Sequence, residues 1–230
     1  VQIFDAQMRF ESSFGGYGSQ AQHLDEPVRM AYSDQGLYLV ERNNGRISLR
    51  AENGEIQACY QNKSPVWSFY ASKTFKDNCH YQAWVRNCSR FSSIEGQFIN
   101  AGFTVGATEY PSDMCCMNNG DRIVVDAVNG IVVVFDARLT HARHVVSRGD
   151  KELPEAFHPT ACCQITNGML VLASEITNDI VVMDDKMIVM RARLTMRPSS
   201  LSFFKNNIYL CDFWNGHVAR VDLDTMGIEA

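Results

Sequence analysis

The chain has 230 residues, 46% of them hydrophobic and 20% charged, with a formal net charge of −5. That length and apolar fraction allow a sizeable core, near the upper end of what one all-β domain occupies. The negative charge excludes a global attraction to nucleic acid or anionic membrane, so any such binding needs a local basic patch. No apolar run approaches the roughly 20 residues of a membrane-spanning helix, and no membrane partner is expected.

In chain order, Val1 to Phe14, "VQIFDAQMRFESSF", reads as two strands. A glycine-rich loop then leads to Pro27 and three apolar runs, "VRMAY", "GLYLV" and "ISL". Between the last two sits a polar knot, Glu41-Arg42-Asn43-Asn44-Gly45-Arg46. Asn and Gly tolerate positive φ, so the knot reads as a tight turn between strands. Pro65 is followed by "VWSFY" and "YQAWV", Pro111 by "SDMCCM", "DRIVV" and "IVVVF". After Pro159 come "TACCQI", "GMLVL" and "IVVM", and after Pro198 come "SSLSFF", "NIYLC" and "HVARV". Asn119-Gly120 and Asn167-Gly168 mark two of the hairpin turns.

The prolines are separated by 38, 46, 48 and 39 residues, within or close to the period of propeller blades. The knot recurs as an acidic residue followed three places later by Asn: Glu41/Asn44, Asp126/Asn129, Glu175/Asn178 and Asp212/Asn215. The second unit departs from this, with Arg86 and Ser89 in those places. The expected fold is all-β: a β-propeller of four-stranded antiparallel blades. Residues 28 to 33, 66 to 70, 112 to 117, 160 to 165 and 199 to 204 are expected as its innermost strands. The acidic/Asn knots read as structural ties of the loops.

The stretch "FGGYGSQAQHLDEP", Phe14 to Pro27, followed by "YLVERNNGRI", resembles the NHL repeat, the blade of the C-terminal propeller of TRIM–NHL proteins. The resemblance spans the chain but is specific only in the first blade; later blades carry Ile131, Ile180 and His217 where the first has Arg46. It implies a six-bladed ring, of which five full blades and an N-terminal outer strand pair are visible. A five-bladed ring with an N-terminal overlap is the alternative. Residues 1–230 are expected to form a single NHL-type domain of a longer chain.

None of the eight cysteines forms a Cys-x-x-Cys pair, and four stand as doublets in apolar runs. Small buried thiols are therefore expected, rather than zinc ligands or a disulfide framework, and the cytoplasm is the expected compartment. Asn62-Lys63-Ser64 and Asn87-Cys88-Ser89 are glycosylation-type triplets that keep secretion open.

In such a blade the start of the first strand and the end of the second share one rim. The basic residues placed there are Arg29, Arg42, Arg46, Lys63, Arg86, Arg90 and Arg197, interleaved with Trp67 and Trp214. Glu109, Asp113, Asp126, Glu155, Glu175 and Asp179 form an acidic counterpart. Guanidinium groups that neutralise phosphate beside rings that stack on bases suit single-stranded RNA. The resemblance implies the same ligand, hence a post-transcriptional regulator of mRNA, with regulatory proteins also meeting the rim. The alternative is a protein-interaction scaffold without RNA. Catalytic motifs are absent, Gly15-Gly16-Tyr17-Gly18 being a turn, so no enzymatic activity and no cofactor are expected. A zinc-dependent lyase resembling the peptide-amidating propellers would need His23, His158 and His217 to converge, and no motif supports them as ligands.

Overall fold

The computed structural model describes residues 1–33, 35–61, 69–75, 78–83, 87–92, 97–100, 111–136, 142–147, 153, 156–165, 168–184 and 188–222. The chain clusters into two compact units, Val1–Trp84 with Cys88–Asn100, and Val85–Asn87 with Ala101–Ala230. Among the described residues every regular element is a β-strand, and no helix is long and apolar enough to cross a membrane.

The first unit opens with β1 (Gln2–Phe4) and β2 (Phe10–Ser13), a two-stranded antiparallel sheet. Next come β3 (Pro27–Ser33), β4 (Gly36–Glu41), β5 (Arg46–Arg50) and β6 (Ile56–Gln61), hydrogen-bonded in that order. The following sheet holds β7 (Phe69–Phe75), β8 (Asn78–Ala83), β9 (Asn87–Ser92) and β10 (Gln97–Asn100), again in sequence order. In the second unit, β11 (Pro111–Cys116), β12 (Arg122–Asp126), β13 (Ile131–Phe135) and β14 (Ala142–Ser147) form one sheet. A second consists of β15 (Ala161–Gln164), β16 (Leu170–Ser174), β17 (Asp179–Met183) and β18 (Ile188–Arg193). A third holds β19 (Ser200–Phe204), β20 (Asn207–Asp212) and β21 (His217–Asp222), three strands among the described residues.

The first strands of successive sheets lie side by side without sharing a sheet: β3 beside β7, and β11, β15 and β19 in series. Four of the five expected innermost strands fall within a residue or two of their predicted bounds. The sheet after Pro65 does not: its first strand, Phe69–Phe75, runs past the expected end at residue 70, and its second, Asn78–Ala83, begins before residue 81, while residues 66 to 68 and 84 to 85 of the expected strands lie outside the described residues. Phe75 pairs with Asn78, so the hairpin connection is shorter than expected, and this pairing sets the register of both strands. The aromatic run "VWSFY" lacks alternation, so it could not mark its own boundary. Ser89, expected in that unit's knot, lies inside β9.

The core of the second unit follows the strand period of two. Cys162, Leu170, Leu172 and Val181 point to one side of their sheet, towards Cys115, Ile123, Val125 and Val132. Cys163, Val171, Ala173, Ile180 and Val182 point to the other, towards Leu201, Ile208 and Leu210. A sheet buried on both faces requires an unbroken apolar strand, which explains "MLVLA" and "IVVM". It also explains the Cys162-Cys163 doublet, which sends one thiol each way. Neither thiol is in a disulfide, nor are those of Cys59, Cys115, Cys116 and Cys211. In the first unit Tyr38, Val40, Ile47 and Leu49 pack with Val28, Ala58 and Tyr60.

Candidate functional site

The turn joining second and third strands has one geometry in four sheets. A tie residue ends the second strand and pairs across to the first residue of the third: Glu41 with Arg46, Asp126 with Ile131, Ser174 with Asp179, Asp212 with His217. Four turn residues lie between, and the last is left-handed: Gly45 (φ 57°), Gly130 (65°), Asn178 (57°) and Gly216 (65°). Asn129 donates its backbone N–H and side-chain amide to the two Asp126 oxygens, both at 2.9 Å. Asn215 does the same to Asp212 at 3.0 and 2.8 Å, and Asn44 Nδ2 donates to Glu41 at 2.6 Å.

The knot between β16 and β17 corrects the sequence reading. Its tie is Ser174, whose Oγ accepts from the Thr177 N–H at 3.3 Å. Glu175 is the first turn residue, Asn178 fills the glycine position, and the counterpart of Arg46 is Asp179 instead of Ile180. The sequence match was one residue out of register because Glu and Asn recur at the expected spacing by composition alone.

Arg46 is 6% exposed and begins a strand, so it is not a loop residue. Its Nε donates to Glu41 Oε1 at 2.9 Å. Its terminal nitrogens donate to the carbonyls of His23 (2.7 Å), Gln20 (3.1 Å) and Ser19 (3.4 Å). Arg50, fully buried, extends the clamp to Ala21 O and Gly54 O at 3.1 and 3.0 Å, with its guanidinium over the Phe14 ring at 5.7 Å. Burial lowers the Arg50 guanidinium from its ordinary value. Arg46, paired with Glu41, and Arg50, linked to the same carboxylate through Ser48 Oγ, thus hold the glycine-rich loop against its sheet.

The other expected RNA contacts are distributed as follows. Arg42 pairs with Glu26, and Arg29 lies in β3 with its guanidinium donating to Val28 O at 2.9 Å. Arg90 lies inside β9 instead of a loop, its side chain outside the described residues, as are Lys63, Trp67 and Arg86. Arg197 and Trp214 do come together. The guanidinium lies 5.1 Å from the indole centroid, and both donate to Glu175 Oε1, Arg197 at 3.0 Å. Phe213 meets Trp214 edge-on at 5.6 Å.

Around this cluster the second unit presents an apolar rim. The second turn residue is Val128, Ile176 or Trp214 in three successive sheets, 62, 66 and 61% exposed, with Phe213 77% exposed beside the last. His158 links two of these turns: its Nδ1 meets Ala127 O at 3.2 Å and its N–H donates to Ser174 Oγ at 3.3 Å. Sequence reasoning passed over Val128 and Ile176. The available signal was an apolar residue at the tip of a turn otherwise built of polar residues.

In the first unit an open cleft of about 370 Å³ is lined by Phe14, Gly15, Gly16, Gln22, His23, Asn53, Gly54 and Glu55. Among the described residues, no three His, Cys, Asp or Glu side chains come together to hold a metal ion.

No family model matches the chain, and no curated protein matches it in sequence. Solved structures do match in shape. The WD40 β-propeller domain of Doa1 aligns at 10% identity over 83% of this chain and 62% of its own, with a TM-score of 0.64. Virginiamycin B lyase from Staphylococcus aureus aligns at 11% identity over 96% of this chain and 76% of its own, with a TM-score of 0.67. A chain of a nidogen/laminin complex aligns at 13% identity over 90% of this chain and 80% of its own, with a TM-score of 0.72. At such identities the likeness carries the fold and does not single out the NHL-type blade. With antiparallel sheets in sequence order and their first strands side by side, the chain has a β-propeller fold.

Proposed function

We propose that this propeller is a protein-interaction module that receives its partner on the turn tips of the second unit. The observation that carries the reading is the exposure of Val128, Ile176 and Trp214 at one repeated turn position. Clustered exposed apolar side chains mark interaction sites, and Trp and Arg are the residue types that most often dominate binding energy. Single-stranded RNA, the ligand that the NHL resemblance implies, is the competing reading, favoured by the exposed Arg197–Trp214 stack. It ranks second because Arg46 is spent on a buried clamp and Arg42 and Arg197 are paired with carboxylates.

The test offers a random peptide-display library and a pool of random single-stranded RNA, at physiological salt, to the unaltered protein and to an Ile176→Asp/Trp214→Ala variant. Both substitutions are at exposed positions, so circular dichroism should be unchanged. The expected result is peptide enrichment on the unaltered protein, its loss on the variant, and no retained RNA. RNA retention that disappears with Arg197→Glu, or peptide enrichment indifferent to the rim variant, would overturn the reading.

A further inference from the structure

The charge arrangement around the rim carries the reading one step further. Among the described residues, the carboxylates near the turn tips are either ion-paired or buried; Asp126 is buried and accepts from the Asn129 N–H and side-chain amide. Glu175 accepts from Arg197 and from the Trp214 indole, and Asp179 accepts from Arg191. Asp212 is buried and accepts from Asn215 and from the Arg197 N–H. On the same rim Arg193 is exposed at the end of β18, donates to Thr177 O at 3.3 Å, and has no carboxylate ion-pair partner among the described residues. His217 is exposed at the start of β21. The strip from Val128 through Ile176 to Trp214 is therefore apolar at its knobs, its carboxylates are ion-paired or buried, and Arg193 stands beside it as an exposed cation.

We infer that the partner segment is an extended peptide that alternates apolar and acidic side chains. This rests on the protein-interaction reading above. Apolar side chains of the peptide pack on Val128, Ile176 and the Phe213–Trp214 corner, one anchor per turn. Its carboxylates face Arg193 and the outer side of Arg197. Charge complementarity of this kind sets specificity and association rate more than total affinity, so acidic peptides are selected over basic ones of equal apolar content.

The experiment sequences the peptides that the display library enriches, then measures one synthetic enriched peptide against the protein, its Arg193→Glu and Arg193→Gln variants, and Trp214→Ala. An enriched pool rich in Asp and Glu is expected. Binding should weaken about fivefold with Arg193→Glu, less with Arg193→Gln, and fall as salt is raised. A neutral or basic pool that still depends on Trp214, or an acidic pool indifferent to Arg193→Glu, would overturn this inference and leave the interaction module standing. Absence of any enriched pool would instead remove the module reading itself.

Discussion

Arg46 shows how one side chain of a family-like motif can serve as a structural clamp. It is buried with Glu41, and removing either partner leaves an uncompensated charge out of water. Arg46→Ala is expected to lower stability by about 3–5 kcal/mol in urea unfolding, whereas Arg42→Ala, at the exposed pair with Glu26, should cost less than about 1 kcal/mol. Similar small losses from both would sink the clamp. Replacing Arg46 by Glu should accordingly unfold the first unit, so it is no test of RNA binding. Asp212 gives a second check. The Asn215 side-chain amide, then the Arg197 N–H, hold its carboxyl at about 2, below the ordinary 3.8. Between those values the unfolded chain binds more protons, so this contribution to stability is complete above the unfolded value and is lost as pH falls towards 2. Asn215→Ala should move the Asp212 titration, followed by carboxyl-carbon NMR, up towards 3.8 and start acid unfolding at higher pH. An unmoved titration would mean that the tie contributes nothing.

At the scale of the element, the turn is the repeated device, and its fourth position is defined by backbone conformation. Nothing lies within 4 Å of where a Cβ on Gly216 would stand, yet its φ is +65°. Gly216→Val should therefore cost about 1–2 kcal/mol in thermal unfolding from conformation alone. Gly216→Asn should cost visibly less, because Asn178 already occupies that conformation in the neighbouring sheet; equal costs would contradict the equivalence of the two turns. In the strands, Leu172→Ala removes a fully buried side chain between sheets and should cost about 2–5 kcal/mol. The elements legible in advance were those with a proline start, an alternating or unbroken apolar run, and an Asn-Gly turn. The sheet of β7 to β10 lacked that punctuation, and its hairpin register came from pairing instead.

For the whole molecule, the thiols report how tightly the sheets within each unit are packed. Cys115, Cys162 and Cys163 are buried, while Cys59 and Cys211 are exposed. A thiol reagent should label Cys59 and Cys211 in the native state and reach the other three only at the rate of unfolding. Burial around the sulfur raises the Cys211 thiol, so its labelling should accelerate steeply with pH. Rapid native labelling of Cys162 would contradict the packed core of the second unit.

The sequence by itself determined the repeat, the strand order and the tie residues at Glu41, Asp126 and Asp212, because these are set by local turn chemistry and by a period of two. Tertiary structure decided what those signals could not reach. Arg46 and Arg42 look alike in the sequence, one residue type four positions apart in one knot. Only the packing of the glycine-rich loop buries the first and leaves the second at the surface. Ser174 became a tie and Glu175 a rim residue because cross-strand pairing shifted the frame by one. Val128, Ile176 and Trp214 acquired a common address only when three sheets brought their turns to one rim, a juxtaposition between residues about forty positions apart.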